Sequence, residues 1–210
     1  MLLVQDSMTR EVVTLAPETT AAEALKLCRD RGIRHLPVMQ DDRLVGMVSD
    51  RDLRSATPAL GDPARAAALE EIVVSGVMSW EVATAHPEDP IEMAANAMRE
   101  RGIGSLPVVE NGRLVGIITS SDVMEALVRL VGAHEPGSRI EVSMPDRPGS
   151  LAEVAALFRD ADVNVVSALA GPSTGDDRRV AVFRAATIDP APVVRLLEEA
   201  GYPVLWPPVG

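Results

Sequence analysis

Two copies of one short stretch decide the fold: Gly32-Ile-Arg-His-Leu-Pro-Val38 returns seventy residues later as Gly102-Ile-Gly-Ser-Leu-Pro-Val108. Shifted by 70 residues, the chain lies on itself without a gap from about Val4 to Asp52, and about twenty of some fifty positions match. The matches fall on Gly, Pro and Asp as well as on common apolar residues, so chance is a poor explanation. We infer the tandem duplication of one small unit.

Each copy predicts a strand, a helix, a β-hairpin and a second helix. In the first copy, Val12 to Leu15 is short and β-branched, which favours a strand. Thr20-x-x-Glu23 is a capping box that starts a helix, and Gly32 ends that helix. The hairpin turns at Asp41-Asp42 and, in the second copy, at Asn111-Gly112. One such unit is too small to bury both faces of its sheet, so the two copies are expected to pack as a pair.

The last third of the chain predicts a different unit, with the order βαββαβ of a ferredoxin-like fold. We therefore expect an α+β protein with mixed α/β units: residues 1–60 form the first repeat, 61–132 the second, 133–138 a linker and 139–210 the third unit. The predicted elements of the third unit are the strand Arg139 to Met144, the helix Leu151 to Asp160, the strands Val163 to Leu169 and Arg179 to Ala186, the helix Pro190 to Ala200 and the strand Pro203 to Trp206.

Composition excludes several classes of protein. The net charge is -11 and aromatic residues make up 2% of the chain, which argues against a nucleic-acid partner. No apolar run approaches the ~20 residues of a membrane span. The single cysteine, Cys28, excludes an intramolecular disulfide and a cysteine-based metal cluster. We expect an acidic cytoplasmic protein without a membrane partner.

The repeated pattern resembles the CBS domain. Beyond the stretch quoted above, it continues as Val45-Gly-Met-Val-Ser-Asp-Arg-Asp-Leu53 and as Val115-Gly-Ile-Ile-Thr-Ser-Ser-Asp-Val123. The third unit resembles the ACT domain through Asp146-Arg-Pro-Gly-Ser-Leu-Ala-Glu-Val154 and Asp162-Val-Asn-Val-Val166. The order CBS-CBS-ACT is similar to that of acetoin-utilisation accessory proteins. The resemblance implies a regulatory module, with AMP, ADP, ATP or S-adenosylmethionine in the CBS pair and an amino acid or a second ACT domain as the partner of the third unit.

Two strand-to-helix junctions carry the candidate ligand chemistry. Ser49 and Asp52 lie three residues apart at the first junction, and Thr119 and Asp122 at the second. A helix start offers free N–H groups to a phosphate, and the hydroxyl adds another hydrogen bond. The carboxylate can accept both hydroxyls of a ribose. The alternative is ordinary N-capping by Ser49 or Ser120, with a solvated Asp.

The resemblance further implies that the Asp of each repeat faces the first strand and the Gly-x-x-x-x-Pro segment of the other repeat. We favour the Asp122 pocket for a phosphorylated ligand, because Arg34 is always charged and His35 titrates near neutrality. The alternative for Arg34 and His35 is a hydrated surface pair. The first pocket comprises Val12, Ile33, Arg34, His35, Thr119 and Asp122, and the second comprises Ser49, Arg51, Asp52, Val82, Ile103, Gly104 and Ser105.

In the ACT-like unit, the resemblance implies an effector loop at Asp146, Gly149 and Ser150, with Asn164 facing it from the next strand. The loop glycine gives close backbone approach, and the helix start can receive an α-carboxylate. The alternative is that Asp146 and Ser150 cap a helix, that Asn164 satisfies a turn, and that the unit serves dimerisation.

The sequence offers no catalytic constellation. Its three histidines are scattered, and neither a nucleophile motif nor a phosphate-binding or metal-ligand motif is present. We therefore expect a non-enzymatic, ligand-sensing regulator without a metal or resident cofactor. The alternative is an assembly scaffold without a small-molecule ligand. In either case a homodimer is expected, with Val123, Leu127 and Leu130 of the last CBS-like helix as candidate contacts.

Overall fold

The computed structural model describes residues 2–173, 175 and 177–208 and confirms the α+β class, with seven α-helices and antiparallel sheets among these residues. The chain divides into two compact units, residues 1–124 and 125–210. The division falls inside the helix Ser120–Leu130. The first unit holds most of the repeat pair and the second holds the βαββαβ fold.

The two repeats form matching sets of elements around two hairpins. The helix α1 begins after the predicted capping box, in which Glu23 N donates to Thr20 Oγ1 at 3.2 Å and Thr20 N donates to Glu23 Oε2 at 3.0 Å. The first repeat contains α1 Ala21–Arg31, β1 His35–Gln40, β2 Arg43–Ser49 and α2 Asp50–Ser55, and α3 Arg65–Glu71 follows it. The second contains α4 Ile91–Arg101, β3 Ser105–Glu110, β4 Arg113–Thr119 and α5 Ser120–Leu130; the 3-10 helices are Val4–Asp6 and Val74–Gly76.

Both hairpins have the two-residue turns that the sequence predicts. β1 pairs antiparallel with β2, and β3 pairs with β4. Asp41 and Asp42 have φ angles of 46° and 60°, and Asn111 and Gly112 have 51° and 76°. Two consecutive positive φ angles match the twist of the flanking strands. The hairpins therefore follow from local turn chemistry.

The strand predicted over Val12 to Leu15 is wrong as a strand. It is reduced to one parallel bridge between Leu15 and Val38, and its counterpart in the second repeat is a bridge between Ala85 and Val108. Leu15 uses both its N–H and its C=O in this bridge. Extension of the bridge back to Val13 would need an N–H on Pro37 to donate to the Val13 carbonyl, and proline has none.

The two repeats pack against each other through reciprocal contacts. Backbone bridges join Thr9 to Ile117 in β4 and Ser79 to Met47 in β2. The side chains of Met8 and Met78 reach the bare backbones of Gly116 and Gly46. Val74 and Met78 of the second repeat also belong to the hydrophobic core around α1 and the first hairpin. Pair packing of the repeats is thus confirmed.

The third unit has the predicted βαββαβ order. Its four-stranded sheet has the order β6-β7-β5-β8, with every neighbouring pair antiparallel. Both helices pack on a core in which the Phe158 and Phe183 rings lie 4.8 Å apart. The strand β6, Val165–Ser173, begins two residues after the predicted start at Val163 and ends four residues after the predicted end at Leu169. The elements are β5 Ser138–Pro145, α6 Ser150–Asp160, β6 Val165–Ser173, β7 Arg178–Ala185, α7 Ala191–Glu199 and β8 Val204–Trp206.

Candidate functional site

The two repeats line one continuous cleft of about 1360 Å³. The sequence predicted two separate pockets, but the structure joins them. For clarity we call the part near Thr119 and Asp122 the Asp122 half, and the part near Ser49 and Asp52 the Asp52 half. All thirteen residues predicted for the two pockets line this cleft: Val12, Ile33, Arg34, His35, Ser49, Arg51, Asp52, Val82, Ile103, Gly104, Ser105, Thr119 and Asp122.

Each candidate carboxylate closes a capping box at the start of its helix. Asp122 Oδ2 accepts from Thr119 N at 2.8 Å and from Thr119 Oγ1 at 2.7 Å. Asp52 Oδ2 accepts from Ser49 N at 2.8 Å and from Ser49 Oγ at 2.6 Å. The alternative of ordinary capping is thus present, but Thr119 rather than Ser120 is the second cap. Neither Asp is simply solvated.

Capping leaves one oxygen of each carboxylate for a ligand. Both cap hydrogen bonds of each box end on Oδ2, and within the described part of the chain Oδ1 of Asp52 and Oδ1 of Asp122 accept none. The two halves differ in shelter, since Asp122 is half-buried and Asp52 is exposed. Hydrogen bonds to a sheltered carboxylate are stronger than those to an exposed one. The geometry therefore favours the Asp122 half.

Free cations line the cleft at Arg34 and Arg51. Both side chains are exposed, and neither guanidinium makes an ion pair or hydrogen bond with the residues that the structure describes. Arg54, by contrast, pairs with Asp50 at 3.3 Å. Arg34 and Arg51, the two cations predicted for the site, therefore have guanidinium groups that could pair with a phosphate.

The structure corrects the predicted grouping of the two pockets. Arg34 and His35 lie beside the Asp52 half, because Asp50 N donates to Arg34 O at 2.9 Å and His35 pairs in register with Ser49. Gly104 and Ser105 lie beside the Asp122 half, because Ser120 N donates to Gly104 O at 3.0 Å and Ser105 pairs with Thr119.

The imidazole of His35 lies against Gly104, which was assigned to the Asp52 half. Burial lowers the pKa of His35 below its usual value of 6.5, and the carboxylates of Asp50 and Asp52 oppose this effect. The lowered pKa disfavours the charged form of His35. Its strand position explains the placement, because His35 pairs in register with Ser49 at the end of β2.

The predicted effector loop of the third unit lies before α6. Asp146 pairs with Arg179 of β7 at 2.5 Å, a partner that sequence reasoning missed. Gly149 is the N-cap of α6 with a φ of 90°, so this helix start has no side-chain capping hydrogen bond. Ser150 is 2% exposed and its Oγ has no hydrogen-bond partner among the described residues. Asn164 is exposed, and its carbonyl accepts from Ala186 N at 2.8 Å.

A second missed feature fixes the loop to its helix. Both guanidinium nitrogens of Arg147 donate to Glu153, each at 2.9 Å, and the Tyr202 hydroxyl donates to Glu153 Oε2 at 2.5 Å. Arg147 and Tyr202 lower the pKa of Glu153. Tyr202 lies 49 residues from Glu153, so no local pattern could reveal this contact.

Family models agree with this architecture. The model of the CBS domain matches residues 4–58 and 74–129, and the model of the ACT domain matches residues 138–201. The chain belongs to the CBS domain family and carries an ACT domain after its CBS pair. The resemblance seen in the sequence is confirmed.

Solved CBS-domain structures are similar to the CBS pair of this chain. A Vibrio cholerae protein assigned to acetoin utilization (AcuB) is 34% identical, has a TM-score of 0.54, and covers 65% of this chain and 99% of its own. The CBS pair of MJ0100, in complex with 5-methylthioadenosine and S-adenosyl-L-methionine, is 28% identical with a TM-score of 0.52, covering 64% and 99%. CBSX2 in complex with AMP is 27% identical with a TM-score of 0.54, covering 62% and 99%.

Some relatives with CBS domains are enzymes. Inosine-5'-monophosphate dehydrogenase of Korarchaeum cryptofilum is 28% identical over 202 residues, but the chain spans only 37% of that enzyme. The CBS and ACT families are mostly regulatory, which supports a regulatory role for this chain. Within the described residues, no group of three His, Cys, Asp or Glu side chains is arranged to hold a metal, and no helix has the length and hydropathy to cross a membrane.

Proposed function

We propose that this protein is a ligand-sensing regulator that binds an adenosine nucleotide in the cleft of its CBS pair. The observation that carries the proposal is the Asp122 half. There a half-buried carboxylate keeps Oδ1 free, in a cleft that also exposes the unpaired guanidinium of Arg34. The similar structures with AMP and with S-adenosyl-L-methionine support adenosine as the common element of the ligand.

The ribose is the part of the ligand that Asp122 selects. Its two hydroxyls can donate to Oδ1, the oxygen that the capping box leaves open. Hydrogen bonds to a charged group contribute about 1.5–3 kcal/mol. A ligand without adjacent hydroxyls, such as a deoxynucleotide, would leave Oδ1 of the half-buried Asp122 with fewer hydrogen bonds. The proposal therefore includes discrimination of ribose from deoxyribose.

The phosphate has fewer backbone donors than a free helix start would offer. Ser120 N donates to Gly104 O at 3.0 Å, and Asp122 N donates to Thr119 Oγ1 at 3.4 Å. Of the first three amides of α5, only that of Ser121 remains for an anion. The exposed guanidinium of Arg34, whose backbone lies beside the start of α2, would add phosphate recognition from the same cleft.

Calorimetric titration with AMP, ADP, ATP and S-adenosylmethionine tests the proposal. We expect Asp122→Asn to weaken AMP binding roughly 10- to 100-fold, since each 1.4 kcal/mol is about tenfold in affinity. The amide oxygen of Asn can still accept the cap hydrogen bonds, so this variant separates ligand binding from folding. Arg34→Ala should weaken ATP binding more than adenosine binding, and Asp52→Asn is the matched control.

The outcomes separate the proposal from its alternative. If no member of the panel binds the wild-type protein, the chain is a scaffold without this ligand. If Asp122→Asn binds AMP as tightly as wild type, the site assignment is wrong. A larger loss with Asp52→Asn would place the ligand in the other half of the cleft.

A second candidate function is amino-acid binding by the ACT domain. The observation that favours it is the buried Ser150 Oγ without a described partner at the start of α6, next to the left-handed Gly149. An α-carboxylate at this helix start would meet free amides and the positive end of the helix dipole. Titration with the twenty amino acids tests this, and Ser150→Ala should abolish any binding that occurs there.

The similarity to the Vibrio cholerae protein supports a link to acetoin utilisation. We expect a strain that lacks this chain to grow more slowly on acetoin as its carbon source, and growth equal to the parent would contradict the link. Growth on glucose is the control.

A further inference from the structure

The two ends of the cleft differ in charge. Three arginines and two aspartates lie in α2 or beside its start, whereas the corresponding positions at α5 hold one aspartate and no arginine. With the repeat spacing of 70 residues, the exchanged pairs are Arg34 and Gly104, Arg51 and Ser121, and Arg54 and Met124. Glu11 and Glu81 also line the cleft, but they are counterparts of each other and do not cause the difference. The Asp52 half is therefore the more basic end of the cleft, and the Asp122 half is the more acidic end.

Two of the arginines at the basic end are open to an anion. Arg54 pairs with Asp50, whereas the exposed guanidinium groups of Arg34 and Arg51 have no partner among the described residues. At the other end, the first turn of α5 carries Asp122 and no basic residue. An anion in this cleft therefore meets free cations only where the wall belongs to the start of α2, as far as the described residues show.

The free cations lie close to the boundary between the two halves, which we define as the contact between His35 and Gly104. A Cβ on residue 104 would stand 2.9 Å from Nε2 of His35, and Gly104 O accepts from Ser120 N at 3.0 Å. Burial lowers the pKa of His35, the carboxylates of α2 raise it, and the charges of Arg34 and Arg51 lower it. Such effects need nearby charges. Both arginines therefore lie near the boundary, on the side away from Asp122.

This arrangement treats the phosphates of one nucleotide differently. A phosphate bonded directly to a ribose on Asp122 would lie at the acidic end, where the amide of Ser121 is the one free donor among the first three of α5. Phosphates further along the chain would lie further from Asp122. They could reach the guanidinium groups beyond the boundary, which pair with phosphate through two parallel hydrogen bonds.

We propose that the cleft selects adenosine ligands by the length of the phosphate chain and prefers a triphosphate to a monophosphate. The ribose lies in the Asp122 half, and the terminal phosphates pair with Arg34 and Arg51 across the boundary. This inference rests on the proposed function, since it names the class of nucleotide that the same cleft prefers. Arg34 and Arg51 are the specificity-determining residues, and AMP gains little from its single phosphate.

The experiment is calorimetric titration of the full chain with adenosine, AMP and ATP at constant ionic strength and without divalent cations. We expect ATP to bind at least about tenfold more tightly than AMP, and AMP to bind within about threefold of adenosine. Arg34→Ala combined with Arg51→Ala should lower the ATP affinity to that of AMP and leave the AMP affinity unchanged. The matched control is Arg43→Ala combined with Arg113→Ala, which removes the same charge from two exposed arginines that do not line the cleft.

A second variant adds a cation instead of removing one. Ser121→Arg gives the second repeat the residue that the first repeat has at the corresponding position, Arg51. Ser121 is exposed, and arginine is a better helix former than serine, so the variant should fold. We expect its affinity for AMP to rise about tenfold and its affinity for adenosine to stay the same.

Equal affinities of wild type for ATP and AMP would overturn this inference and leave the proposed function intact. A preference for ATP that survives the loss of both Arg34 and Arg51 would also overturn it. An unchanged AMP affinity in folded Ser121→Arg would show that the first phosphate does not lie beside α5, and would overturn it as well. Absence of binding by all three ligands in wild type would instead overturn the proposed function.

Discussion

Gly116→Ala tests how the two repeats hold the Asp122 half in shape. Gly116 lies in β4, three residues before Thr119. A Cβ there would stand 2.6 Å from Sδ and 3.1 Å from Cγ of Met8, and 3.1 Å from the carbonyl oxygen of Thr9. The methionine can change rotamer, but the carbonyl belongs to a backbone bridge. Thr9 and Ile117 exchange two hydrogen bonds of 2.9 Å each, so the bridge must move.

The matched variant Gly46→Ala gives the destabilisation with which Gly116→Ala is compared. Around Gly46 the nearest atoms all belong to the flexible side chain of Met78, with Cγ at 3.0 Å and Cε at 3.1 Å. Overpacking a core costs about 1–3 kcal/mol, and we expect Gly46→Ala near the lower end of this range. Gly116→Ala should cost about 1 kcal/mol more, since weakening a backbone hydrogen bond forfeits about 0.5–1.5 kcal/mol.

The assay is urea unfolding of both variants and wild type, followed by circular dichroism at pH 7.5 without nucleotide. An unchanged slope of the transition would show that the midpoint reports stability rather than a change in the unfolded state. The reasoning is refuted if Gly116→Ala is as stable as wild type, or if Gly46→Ala is the more destabilised of the two.

Three further predictions follow from the site and from the exposed face of α5. Without ligand, Asp122→Ala should lower the free energy of unfolding by about 0.5–1.5 kcal/mol, because the carboxylate that accepts from Thr119 N and Thr119 Oγ1 is lost. Asp122→Asn should keep most of that stability, and equal losses in thermal unfolding would contradict the capping role. Burial lowers the pKa of His35, so the imidazole binds a proton more readily in the unfolded chain than in the folded one, and the free energy of unfolding should fall as the pH drops below about 6.5. Unfolding measured from pH 8 to pH 5 should show a weaker pH dependence in His35→Ser than in wild type. An identical pH dependence in the two proteins would refute this. Light scattering should give twice the chain mass of 22.3 kDa, and Leu127→Asp should give the monomer mass; a wild-type monomer at micromolar concentration would exclude the homodimer.

The exposed face of α5 corrects one part of the dimer prediction. Val123 is 7% exposed and cannot serve as a contact between copies, whereas Leu127 and Leu130 are 42% and 50% exposed. The neighbouring Met124 is 61% exposed. The proposed interface therefore comprises Met124, Leu127 and Leu130, which are spaced three residues apart along one helix face.

The sequence predicted correctly those features that depend on residues close together in the chain. The hairpin turns and the Thr20 cap follow from residues within four positions of each other. The family resemblance implied two pockets, and their thirteen residues line one cleft. What failed depends on long-range geometry. Pro37 lacks the N–H that a longer first strand would need from its neighbour, and Arg34 and His35 lie beside the start of α2 because β1 pairs with β2 there. The Arg179 partner of Asp146 likewise comes from a distant strand.

The cleft connects ligand binding to repeat packing through shared residues. Thr9 of the first repeat bridges Ile117 of β4, and Thr119 at the end of that strand caps the helix that carries Asp122. A nucleotide in the Asp122 half would therefore favour the arrangement of the repeats in which this bridge is formed. It can do so only to the extent that it binds more tightly to the bridged arrangement than to one in which the bridge is broken. Displacing the bridge should in turn lower the affinity for the nucleotide, because the coupling between binding and packing is reciprocal.

Gly116→Ala should consequently reduce AMP affinity as well as stability. Gly46→Ala should reduce stability alone, since it adjoins the bridge between Met47 and Ser79, which lies on the strand leading to Ser49 and Asp52 rather than to Asp122. The comparison is made by titrating both variants with AMP under conditions in which each is fully folded. Equal losses of affinity would show that the two interfaces act on the site alike, and no loss in either would separate ligand binding from the packing of the repeats.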